Sequence, residues 1–195
     1  MTQYARPDAD LETSDYAAEG AGSSDFFDKI DDPFASPDDA TTYIHLDPMD
    51  DEKKLYYAGL SNITDPDGAT GTYKFVIRGR SHDAYEMAGS SQTEELIAKL
   101  ISGTNADPDH GSNTLISTLT AQDFSSTSWA SITKTLSSAD ITRGNNVSWA
   151  NLCLAIYLGD ENMGGMNLQV TQAYFQCPDA AAAVTANPAF LLFID

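Results

Sequence analysis

Between Tyr73 and Arg80 the chain reads Tyr-Lys-Phe-Val-Ile-Arg-Gly-Arg, which places Tyr73, Phe75 and Ile77 on one face and Lys74, Val76 and Arg78 on the other. A period of two belongs to a strand with one face in a core. Short runs of the same kind recur at residues 42–46, 55–60, 114–119, 129–136, 151–158, 167–176 and 190–194. Turn chemistry separates them, as at Asp47-Pro48 and at Asp65-Pro66-Asp67-Gly68. Residues 96–101 also satisfy the i, i+4 spacing of a helix, but the run is short and Gly103 bounds it, so a strand is expected. Ser138-Ala139-Asp140-Ile141 reads as one helical turn capped by Ser137 or Ser138. Eight or nine strands without a sustained amphipathic helix predict an all-β fold, an antiparallel two-sheet β-sandwich of jelly-roll type.

Residues 1–40 differ. Asp8, Asp10, Glu12, Asp15, Glu19, Asp25, Asp28, Asp31, Asp32, Asp38 and Asp39 face only Arg6 and Lys29, and the apolar residues follow no period. Such a composition buries too little surface to offset its ordering entropy alone. The expectation is an extended acidic arm whose anchors Tyr4, Leu11, Tyr16, Phe26, Phe27, Ile30 and Phe34 dock on a partner, or fold back on their own domain. The divisions expected are the arm (1–40), a sandwich (41–178) and an extension (179–195) ending in an apolar strand.

The formal net charge of −19 argues against nucleic acid and anionic membrane surfaces as partners, since both need clustered Lys and Arg. It fits salty surroundings or a basic partner. No stretch approaches the roughly 20 apolar residues of a membrane span, and residues 1–10 lack the apolar region of a secretory signal. Cys153 and Cys177 allow one disulfide, or two core-facing thiols.

In feature order, residues 41–178 resemble a β-sandwich recurrent in tailed-phage structural proteins and akin to carbohydrate-binding jelly rolls. The similarity rests on Asp38-Asp39-Ala40-Thr41-Thr42-Tyr43-Ile44, the basic strand Val76 to Arg80, and Leu96 to Gly103. It continues through Trp129, Thr133, Leu136 and Ile141, and ends with Leu152 to Leu158 and Val170 to Phe175 closed by Pro178. The resemblance implies a virion component, either a capsid decoration or cement protein or a tail-associated module. Its partners would be the major capsid protein or other virion subunits, with homo-oligomers on a particle assembled in the host cytoplasm, and it transfers no catalytic residue. The alternative is a carbohydrate-binding or host-recognition module.

Signs of catalysis are few. His45, His82 and His110 show no ligand spacing, Ser90 and Ser91 lack a nucleophile elbow, and Cys153 has no activating base nearby in sequence. Asn105, Asp107 and Asp109 place oxygens at alternate positions as a calcium loop does, but Gly111 comes one place late and Ile116 stands where a closing Glu belongs. A turn rich in Asp, Asn and Gly for backbone reasons explains the same residues, so no cofactor is expected, with calcium at this loop as the minor alternative. Trp129, Trp149, Tyr56, Tyr57 and Tyr85 are candidates for a sugar-stacking platform, with the tryptophans in the core as the competing expectation.

Overall fold

The computed structural model describes residues 2–13, 16–19, 25–33, 35–39, 41–46, 55–66, 71–81, 95–123, 128–141, 147–158 and 168–179. Among the described residues eleven strands form: β1 (Thr2–Ala5), β2 (Pro7–Glu12), β3 (Tyr16–Glu19), β4 (Tyr43–Leu46), β5 (Leu55–Leu60), β6 (Tyr73–Ser81), β7 (Glu95–Ser102), β8 (Thr114–Asp123), β9 (Ala130–Leu136), β10 (Leu152–Leu158) and β11 (Leu168–Pro178). They build two antiparallel sheets. The first runs β3-β4-β11-β6-β9, with β1 also beside β11, and the second runs β2-β5-β10-β7-β8. Successive strands cross repeatedly between the layers, as a jelly-roll β-sandwich requires.

The alternation in β6 holds: Tyr73, Phe75 and Ile77 join the core between the sheets. From β11 the core takes Val170, Ala173, Phe175 and Cys177; the second sheet answers with Tyr56, Ala58, Leu100, Leu154 and Ile156. Phe175 is fully buried and stacks between Tyr73 and Trp149, at centroid distances of 6.5 and 6.3 Å. Removing such a ring leaves a cavity and costs about 3–5 kcal/mol. Residues 95–102 are strand, as their length implied. The helical turn α1 (Ser138–Ile141) starts at Ser137, whose Oγ accepts from Asp140 N (3.3 Å) while Asp140 Oδ2 accepts from Ser137 N (2.9 Å). This is a reciprocal cap.

The N-terminal segment is where the structure departs from expectation. Residues 2–5 pair with β11, the chain switches layers at Arg6, and residues 7–12 pair with β5. Arg6 N donates to Ser61 Oγ (3.0 Å) and Ser61 N donates back to Arg6 O (2.7 Å). Further along the same flank of β11, Asp31 bridges Gln172 and Ala173 N donates to Ile30 O (2.9 Å). The described part of residues 1–40 is thus built into both sheets rather than extended as an arm. Backbone pairing with β5 and β11 supplies the ordering free energy that the acidic composition lacks.

The expected partner anchors separate accordingly. Ile30 is fully buried and Phe26 packs on the core, so both serve their own domain. Phe27 is half-buried, Tyr4 meets Tyr174 edge-on (5.8 Å), and Leu11 is 41% exposed. Tyr16 lies in β3, whereas Phe34 and the apolar run 190–194 fall outside the described residues.

Candidate functional site

The outward face of the first sheet gathers side chains that are distant in sequence. In register across β4, β11 and β6, His45 stands opposite Gln169, and Gln169 opposite Arg80. Trp129, just ahead of β9, completes the row: the Arg80 guanidinium carbon lies 4.4 Å from its ring centroid. Arg80 Nε donates to Gln169 Oε1 (2.7 Å), so the arginine is held by a stack and a hydrogen bond. Tyr43 lies 6.0 Å from the rings of both Trp129 and His45. His45 Nδ1 and Trp129 Nε1 are buried and have no hydrogen-bond partner among the described residues. Polar atoms in that condition are uncommon in a native structure.

A second aromatic pair sits farther along the same face. Tyr4, Arg6, Pro33 and Tyr174 line a depression of about 310 Å³. Burial, and then the neighbouring Tyr4, raise the Tyr174 phenol above its usual 10.0, so it remains a neutral donor. Gln169 and Tyr174 stand opposite Arg80 and Val76 of β6, four positions apart, which is roughly 13 Å at strand rise. Between them Arg78 grips Asp39 with two hydrogen bonds of 2.6 Å, which neutralises both groups and raises the arginine's pKa. The face therefore presents rings and a guanidinium, while Gln169, only 2% exposed, holds Arg80 from within the sheet.

Of the platform residues expected from sequence, Trp129 stands on this face. Tyr56 and Tyr57 are fully buried, and Trp149 packs against the core. Tyr85 lies outside the described residues. Tyr43, Arg80, Gln169, Tyr4 and Tyr174 were not anticipated as a group, because only the sheet order brings them together.

The loop joining β7 to β8 holds the three calcium candidates. Asn105 Oδ1 accepts from Asp107 N (2.9 Å), and Asp107 Oδ1 accepts from Asp109 N (3.0 Å). Asp109 pairs with Lys99 (2.5 Å) and accepts from the Tyr157 hydroxyl (3.1 Å). Their oxygens thus serve successive backbone turns and a cation of the chain itself, and no group of three metal-ligating side chains converges among the described residues. Asn113 pins the loop by donating to Asn105 O (3.2 Å) and Asp107 O (2.8 Å). A Cβ on Gly103 would lie 1.9 Å from Asn113 Oδ1, which accounts for that glycine.

His110 is exposed against Ser112, and His82, Ser90 and Ser91 are outside the described residues. Cys153 lies in the second sheet and Cys177 in the first, both buried and unbonded to each other. Burial pushes the Cys177 thiol up to about 12, with Asp179 and Asp65 adding to the shift, and raises that of Cys153.

No protein-family model and no curated protein matches the chain. Among solved structures, it is similar to the family 30 carbohydrate-binding module of a cellulosomal cellulase of Clostridium thermocellum. That match has 8% identity, covers 90% of this chain and 96% of that one, and has a TM-score of 0.44. A xylan-binding module is similar at 7% identity over 93% of this chain and 99% of its own, with a TM-score of 0.40. An arabinose-bound α-L-arabinofuranosidase matches 74% of this chain at 16% identity and a TM-score of 0.42, and the chain spans 21% of that enzyme. Likenesses this distant assign neither ligand nor activity.

Proposed function

We propose that the chain is a non-catalytic carbohydrate-binding module that holds a glycan against the outward face of its first sheet. One observation carries the reading: the Trp129 ring, pinned over Arg80 and beside Tyr43, shares a row with Gln169 and His45. Aromatic rings pack on the C–H faces of sugars, while a few fixed polar groups orient the hydroxyls. The depression between Tyr4 and Tyr174 extends the face for a second sugar unit. Asp39 on this face is paired with Arg78. The other expectation, attachment to a virion shell, drew on a loose arm. With residues 2–12 paired into both sheets, it keeps only the likeness in strand order.

Affinity electrophoresis of the full chain through gels containing single polysaccharides tests the proposal. At least one polymer should retard the protein, and Trp129→Ala should abolish the retardation without lowering the melting temperature by more than a few degrees. Retardation that survives both Trp129→Ala and Tyr43→Ala would place the glycan elsewhere.

A further inference from the structure

We infer that the glycan bound on this face is anionic, a polysaccharide bearing uronic-acid carboxylates, and that Arg80 receives the carboxylate. The inference rests on the glycan-binding reading above and names its ligand class. Three of the ten basic residues, Lys74, Arg78 and Arg80, share one face of β6 in a chain whose net charge is −19. Arg78 is neutralised by Asp39. Elsewhere Lys99 is paired with Asp109, Lys134 donates to the Thr118 carbonyl, and Arg6 Nη1 donates to the Asp31 carbonyl (2.8 Å).

Arg80 is arranged differently. It is fixed through Nε by the neutral Gln169 and through its plane by Trp129, and no carboxylate of the described residues neutralises it. Among the described residues only its Nε has a hydrogen-bond acceptor, and in the proposed complex its terminal nitrogens take the carboxylate. A planar guanidinium held in one orientation matches a planar carboxylate through two parallel hydrogen bonds. The same immobilisation lowers the entropy lost on binding.

Arg80 covers one face of the Trp129 ring, so the sugar stacks on the opposite face and the carboxylate that Arg80 receives comes from an adjoining unit of the polymer. The protein's overall acidity does not forbid this. At about 0.15 M salt, charges more than about 8 Å away are largely screened, so the local fork decides.

The test compares polygalacturonate with its methyl ester, which keeps the backbone and removes the charge, by calorimetry on the full chain at about 0.15 M salt. Polygalacturonate should bind at least tenfold more tightly than the ester. Arg80→Gln should erase that difference, while Arg80→Lys should restore part of it, since the charge returns without the fork. Equal affinity for the two polymers, or an Arg80→Gln variant that still discriminates, overturns the uronate assignment while glycan binding stands. If neither these polymers nor any neutral polysaccharide binds, both readings fall. Dextran sulfate serves as the other anion source. Binding to it as tight as to polygalacturonate, and unchanged in Arg80→Gln, would indicate diffuse charge attraction and also refute the assignment.

Discussion

Asp10 offers the sharpest test of how the N-terminal segment is held. The 3₁₀ turn Phe26–Lys29 begins at Asp25, which has a left-handed backbone (φ 65°) and no side-chain cap of its own. The cap comes from β2 instead: Asp10 Oδ2 accepts from Phe26 N (2.7 Å), and Oδ1 accepts from Phe27 N (2.9 Å) and from the Tyr56 hydroxyl (2.9 Å). A hydrogen bond to an ionised group contributes about 1.5–3 kcal/mol when buried. Asp10 is half-buried and the three bonds share one carboxylate, so about 1 kcal/mol each is the fitting scale, roughly 3 kcal/mol for Asp10→Ala. In a domain of this size each kcal/mol moves the melting temperature about 2–4 °C, so calorimetry should register a loss of about 6–12 °C. Asp10→Asn keeps one acceptor and should lose about half as much. The neighbouring Asp8 is exposed and makes no such cap, so Asp8→Ala should leave the midpoint within about 2 °C. An Asp10→Ala protein that melts with the parent would show that the turn and β2 are not coupled as described.

Two further expectations concern titration. Asp8, Asp31 and Asp32 each have a carboxyl raised above its usual 3.8, with desolvation the largest cause in every case. A raised folded-state pKa means the native state binds more protons than the unfolded chain between the two values, so stability increases as pH falls through that window. Relief of the self-repulsion in a chain of charge −19 acts in the same direction. Melting temperatures measured at low salt should therefore rise as pH is lowered from 7 into the range just above 3.8, and a steady fall over that range would contradict the assignment. The buried thiols give the other test: Cys153 and Cys177 should label slowly with a thiol reagent in the native state and completely in denaturant. Rapid native labelling would show that at least one of the sites opens.

Strands rich in apolar residues were legible from composition and spacing alone. Those at residues 73–81, 95–102 and 152–158 lie inside their sheets, where apolar demand is high; 152–156 is buried on both faces and reads as a continuous apolar run. β2 escaped notice because Pro-Asp-Ala-Asp-Leu-Glu carries residues depleted in strands. At an edge, with one neighbour and a solvated flank, that sequence is tolerated. The same logic hid Ile30: its burial comes from packing under β11 and not from any local period. In the binding face, Trp129 was visible as a candidate because large aromatics are few. Its companions Tyr43, Arg80 and Gln169 are far apart in the chain, and only the order β4-β11-β6-β9 makes them neighbours.

The crossover at Arg6 also has a practical bearing on handling the protein. A version trimmed by its first dozen residues would bare one flank of β11 and one flank of β5 at once, a fresh seam in each layer. Unclaimed backbone donors and acceptors in such seams recruit whatever strand is at hand, including the same seam on a sister molecule. Shortened preparations are accordingly expected to run as dimers or larger aggregates that elute from a sizing column ahead of the intact chain.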